Sequence, residues 1–255
     1  MVKLFFRKYG EGKSPLIILH GLFGMSDNWH NMAKNLSEYF TIYALDLRNH
    51  GNSPHTAEMN YKVMAEDVKN FMDNEKIDKA NIIGHSMGGK VGMFFANLYP
   101  EKIIRMIIAD ISPRQYKPSH LKYIEAIKRI NFNSNSRKEI EDDLSKTITN
   151  RNELLFILKN LVRLENNSFG LKINLNSLDK NYTELTGAIE FDKKITSPVL
   201  FMKGENSDYI NSDDEKLITE NFENVKFVTI RNAGHWIHAE NPQDFLKETL
   251  AFLKN

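Results

Sequence analysis

The sequence predicts an α/β fold, a mostly parallel sheet covered by helices on both faces, with one helical insertion. Three observations predict it. Short apolar runs alternate with amphipathic helical segments. A glycine-rich serine turn, Gly84-His85-Ser86-Met87-Gly88-Gly89, joins one such run directly to the next helix. The alternation then stops between about Pro113 and Ile195, where helical patterns follow one another without a buried strand.

Composition narrows the function classes. The 255 residues, 41% hydrophobic and 26% charged, suit one globular core with a small insertion. A net charge of +1 without a long charged block argues against nucleic acid or an anionic membrane as the main partner. The absence of cysteine excludes a disulfide framework and a thiolate metal site. Met1 to Lys8 is too short and too quickly charged for a signal peptide, and no apolar run reaches transmembrane length. The expectation is a cytoplasmic protein without stable membrane insertion, a monomer or homodimer.

The elements follow in order. Val2 to Tyr9 reads as a first strand and Gly10-Glu11-Gly12-Lys13 as a hairpin turn. Leu16-Ile17-Ile18-Leu19 has the all-apolar pattern of a strand buried on both faces. Ser26 to Leu36 is helical, and Thr41 to Leu45 is the next buried strand. Tyr61 to Asn74 places Val63, Met64, Val68, Phe71 and Met72 near helical spacing. Ala80 to Ile83 is the strand before the serine turn, and Lys90 to Ala96 the helix after it. Ile103 to Ile108, Pro198 to Met202 and Val225 to Ile230 complete the strands. Asp213 to Phe222 and Pro242 to Leu253 are helices flanking the last one. Within the insertion, His120 to Ile130, Arg137 to Ile148 and Asn152 to Leu164 carry helical periodicity. The reading is a core of 1–113 and 195–255 with a helical cap of 114–194.

The chemistry centres on Ser86. A strand–turn–helix with Gly-x-Ser-x-Gly at the turn is the nucleophile-elbow pattern. The serine takes a strained backbone conformation so that its Oγ stands above the sheet edge, and Gly84 and Gly88 leave room for the chain to pass itself. The helix that starts there directs the Met87 N–H at a developing oxyanion. A second donor is expected from Leu22 in His20-Gly21-Leu22-Phe23-Gly24, with His20 a buried structural hydrogen-bonder. His235, in Gly234-His235-Trp236-Ile237-His238, comes late enough in the chain to be the base; His238 is expected to be structural. For the acid, Asp110 ends the strand after the serine strand. Asp208 follows the later strand but sits one place beyond the usual Gly-x-x-Asp position, which Ser207 occupies. Spacing favours Asp110 and leaves Asp208 open. Asp46 and Arg48 are expected to brace the oxyanion loop.

Taken together, His20-Gly21-Leu22-Phe23-Gly24, Asp46-x-Arg48-Asn49-His50-Gly51-x-Ser53, the elbow with Lys90, and Gly234-His235-Trp236-x-His238-Ala239-Glu240-x-Pro242 resemble the YbfF-like esterases of the α/β-hydrolase superfamily. The likeness runs over nearly the whole chain and is weak in the insertion, so substrate choice does not carry over. It implies an α/β-hydrolase fold with a small cap, cleavage of short-chain esters and acyl-CoA thioesters, and a triad on Ser86, Asp110 and His235.

The expected function is therefore serine hydrolysis of carboxylic esters or acyl-CoA thioesters through an acyl-enzyme on Ser86. Leu121, Ile124, Leu154, Phe156 and Leu161 would line an apolar acyl pocket, and neither metal nor organic cofactor is required. Two alternatives share the fold and the triad: a lyase or C–C bond hydrolase, and a slowly hydrolysing binding protein.

Overall fold

The computed structural model describes residues 1–133 and 136–254. Seven strands form one sheet, β1 (Phe6–Tyr9), β2 (Pro15–Leu19), β3 (Thr41–Leu45), β4 (Ala80–His85), β5 (Ile103–Ala109), β8 (Val199–Gly204) and β9 (Val225–Ile230). A separate pair, β6 (Leu161–Arg163) and β7 (Phe169–Leu171), lies in the insertion. The helices of the core are α1 (His30–Leu36), α2 (Tyr61–Asn74), α3 (Met87–Leu98), α9 (Ser212–Asn221), α10 (Ile237–Glu240) and α11 (Pro242–Leu253). Those of the insertion are α4 (Leu121–Lys128), α5 (Arg137–Ser145), α6 (Arg151–Leu158), α7 (Leu175–Lys180) and α8 (Tyr182–Thr186). No helix among the described residues is long and apolar enough to cross a membrane.

The sheet order is β1-β3-β2-β4-β5-β8-β9, antiparallel only at β1–β3. Strand periodicity sorts the apolar runs onto two faces. Ile17, Leu19, Leu45, Ile82 and Ile108 join the core under α2, α3 and the insertion. Leu16, Ile18, Ile42, Ile83 and Ile107 pack on the other face with Trp29, Met32, Phe245 and Phe252. Each fully buried Leu or Ile contributes roughly 1.5–3 kcal/mol relative to exposure, so these short runs hold the frame that carries the site.

Two expected features differ. Gly10 to Lys13 is a turn, with Gly10 at φ 71 and Gly12 at φ 69, but it closes no hairpin. The first strand is shorter than Val2 to Tyr9 and pairs with β3, whereas β2 lies between β3 and β4. The physical reason is burial. An all-apolar strand needs apolar neighbours on both edges, which leaves the half-exposed first strand the free edge of β3. The second difference is Asn152 to Leu164. The helix stops at Leu158, and the chain then forms the β6–β7 hairpin about Asn166-Asn167, with Asn167 at φ 64. Asn160 ends the helix because its buried side-chain amide donates to the Phe23 carbonyl at 2.9 Å and its own carbonyl accepts from Lys172.

Candidate active site

The site is built on the carboxyl ends of β4, β5, β8 and β9. Ser86 follows β4 at φ 51, ψ −118, a left-handed backbone that a serine tolerates only where packing enforces it. A Cβ on Gly84 would meet the Gly88 carbonyl, and one on Gly88 the Leu19 carbonyl, so neither can carry a side chain. The turn thus delivers Ser86 as the N-cap of α3. Neither the Met87 amide at that N-terminus nor the Leu22 amide has a hydrogen-bond partner among the described residues. Unfilled helix N-terminal amides are natural donors to an anion.

His235 lies in the loop between β9 and α10, on the same cavity wall as Ser86. Its Nδ1 is 2.8 Å from Asp110 Oδ2. Asp110 is fully buried, stands at φ 54, and also accepts from the Gly204 amide at 2.9 Å and from the Ser207 hydroxyl. Asp208 is exposed, and only its backbone carbonyl, which Arg114 reaches, is bonded. Tyr209 stacks on the His235 ring at 3.8 Å between centroids. His85 donates from Nε2 to the His235 carbonyl at 2.8 Å, and burial holds its pKa well below that of free histidine, so it acts as a neutral donor. Ser86 Oγ has no hydrogen bond among the described residues; such contacts commonly tighten only with substrate in place.

A family model for the α/β-hydrolase fold matches residues 14–242. The chain belongs to that family. It is 38% identical over 256 residues to the sn-1-specific diacylglycerol lipase ABHD11 of Danio rerio, covering 96% of this chain and 80% of that one. It is 32% identical over 250 residues to esterase YbfF of Escherichia coli K12, covering 96% and 95%. The solved structure of a marine microorganism esterase superimposes with a TM-score of 0.97 at 46% identity, covering 99% of this chain and all of that one.

The loop that carries Leu22 is braced differently from the sequence expectation. Asp46 does fasten the turn, accepting from Ser26 N at 2.6 Å and Asn52 N at 2.8 Å. Arg48 turns away and forms a two-pronged buried pair with Asp67 of α2, at 2.6 and 3.0 Å. A guanidinium this buried needs a planar carboxylate, and Asp67 supplies it. Two histidines hold the loop instead. His20 Nε2 accepts from Leu47 N at 2.9 Å, and His50 Nε2 accepts from Phe23 N at 3.3 Å. Each ring donates its Nδ1–H to a backbone carbonyl, so both are neutral, and burial pushes His50 down to about 3. His238 is structural, its ring stacked on Trp29 at 4.0 Å.

The cavity beside Ser86 holds about 230 Å³ and is walled by the insertion through His120, Tyr123, Glu153, Phe156 and Ile157. Of the five apolar residues expected to line it, only Phe156 does so. Ile124, Leu154 and Leu161 are buried in the core that the insertion shares with one face of the sheet, and Leu121 is exposed. Helical periodicity marks a buried face without distinguishing a core from a cavity wall.

Proposed function

We propose that this protein is a serine hydrolase of carboxylic esters, with residues 114–194 as its cap. Ser86 Oγ attacks the acyl carbonyl while His235 Nε2 takes its proton, and Asp110 fixes the imidazole tautomer through Nδ1. The Leu22 and Met87 amides receive the oxyanion. His235 then returns the proton to the leaving oxygen, and water repeats the sequence to release the acid from Ser86. Acyl-CoA thioesters undergo the same acyl transfer and fall within the proposal. The observation that carries it is the His235 Nδ1–Asp110 Oδ2 bond of 2.8 Å on the wall of a cavity that Ser86 also lines. The esterase and lipase names of its relatives support the same reading.

The test is fluorophosphonate labelling with the adduct mapped by mass spectrometry, in wild type and in the Asp110→Asn and Asp208→Asn variants. Labelling of Ser86 that is lost only in Asp110→Asn is the expected result. Loss only in Asp208→Asn would move the acid to the later loop. An unlabelled wild type would sink the hydrolase reading in favour of a binding protein.

A further inference from the structure

Ser86 stands between two chambers, and His235 lines only one of them. The larger, of about 230 Å³, contains His235, Trp236 and Phe156. The smaller, of about 50 Å³, runs from Ser86 past Met87 to Tyr61, Tyr182 and Leu185, with Lys90 in its wall. The polar groups at the inner end of this smaller chamber are already committed. Tyr61 donates to the Leu185 carbonyl at 2.5 Å, and Tyr182 Oη accepts from His120 N at 2.8 Å. Lys90 Nζ donates to the Arg114 carbonyl at 2.7 Å and to that of Gly187, and lies 4.9 Å from the Tyr116 ring centroid. What Tyr61, Tyr182, Leu185 and Lys90 leave for a ligand at the inner end is ring face and aliphatic surface, while Lys117 and Ser119 also line the chamber.

We infer that the acyl limb of the substrate occupies the smaller chamber and the leaving group the larger one, with Leu185 and Tyr182 setting the acyl length. The inference rests on the ester-hydrolase reading above. In the tetrahedral intermediate the Ser86 Oγ–C bond has formed and the oxyanion sits on the Leu22 and Met87 amides. The bond to the leaving oxygen breaks as His235 Nε2 delivers to it the proton taken from Ser86. The leaving oxygen must therefore face His235, which puts its substituent in the chamber that histidine lines. The limb that stays on Ser86 takes the other. Size then sets the selectivity. At about 10–15 Å³ for each water-sized group, the smaller chamber admits roughly three to five non-hydrogen atoms, an acetyl to butyryl chain. The larger admits roughly fifteen or more.

Two substrate series test the division. With p-nitrophenol as a fixed leaving group, kcat/KM is expected to fall about tenfold or more between butyrate and octanoate. With acetate as a fixed acyl group, lengthening the alcohol from ethyl to octyl should change it less than about threefold. Leu185→Ala should raise the octanoate-to-butyrate ratio about tenfold and leave the alcohol series alone, while Phe156→Ala should alter only the alcohol series. A wild type that takes octanoate as well as butyrate would overturn the inference. So would relief of the acyl limit by Phe156→Ala instead of Leu185→Ala. The wild-type series decides even if Leu185→Ala fails to fold. Turnover that persists in Ser86→Ala would instead overturn the reading of Ser86 as the nucleophile.

Discussion

The carboxyl edge of the sheet and the insertion above it are built under different constraints. At the edge, Phe23, Asn49, Ser86 and Asp110 all hold positive φ, between 51 and 65, and Gly84 and Gly88 are packed against backbone. Almost every residue there answers to one steric or hydrogen-bonding demand. In the insertion, Ile124, Ile140, Leu154 and Leu158 fill a core where apolar groups of similar volume would serve as well. The insertion meets the edge through a few polar ties, such as Asn160 to the Phe23 carbonyl at 2.9 Å and Asn174 to Asn49 at 3.1 Å. On the proposed function the difference is a division of labour: the strained edge carries the reaction, and the exchangeable layer sets what reaches it.

The comparison breaks most visibly at Ser86. Ser86→Ala should lower kcat/KM on a p-nitrophenyl ester by at least about 10³-fold while the thermal midpoint stays near wild type. Equal loss of activity and of stability would mean the residue is structural. Gly88→Ala should cost about 3 kcal/mol or more in urea unfolding, because the added methyl meets the Leu19 carbonyl and backbone cannot yield. Gly92→Ala, in the same helix, would place its methyl 3.3 Å from the flexible Met106 Sδ and should fall within about 1 kcal/mol of wild type. Equal stabilities for the two variants would remove the steric argument for the edge.

Lys90 joins the two regions and gives a pH signature. Burial lowers its pKa from 10.5 to about 7 in the folded chain. Between those values the unfolded state binds a proton that the folded state does not, so this group makes stability rise with pH. The difference in unfolding free energy between wild type and Lys90→Met should therefore grow by about 2 kcal/mol from pH 7 to 8.5. Parallel stability curves for the two proteins would show that the ammonium is not desolvated in the fold.

Much of the edge was legible in the sequence because its demands are local. The elbow needs its glycines within one turn, and β2, β3 and β4 announce themselves as uninterrupted apolar runs. Asp110 directly follows β5 and His235 lies in the loop after β9, so each could be located from a strand of readable pattern. Partners across the sheet were not legible in the same way. That Arg48 pairs with Asp67, or that Gly10 to Lys13 closes no hairpin, depends on which strands and helices become neighbours. Asn160 and His50 act through contacts 137 and 27 residues away along the chain, which no window of sequence contains. The small β6–β7 pair was hidden because a three-residue segment such as Leu161-Val162-Arg163 fits a helix end and a short strand equally well.

Ser207 is the sharpest case, because its signal was visible and its meaning was not. A serine stands where the Gly-x-x-Asp spacing would put the acid. Only the pairing of β5 with β8, which sets Ala109 beside Met202, brings that serine to Asp110. Its hydroxyl then donates to the same Oδ2 that receives His235 Nδ1, so it holds the carboxylate in line with the imidazole. A hydrogen bond to a charged group contributes about 1.5–3 kcal/mol, so Ser207→Ala should lower kcat/KM about tenfold to a hundredfold. Ser207→Thr, which keeps the hydroxyl, should recover most of the loss. Asp208→Asn, one residue on but facing solvent, should stay within about twofold of wild type, since exposed substitutions away from such contacts change little. If Asp208→Asn proved the more damaging, the acid would lie in the loop after β8, and Asp110 would be a buried brace for Gly204 and Ser207.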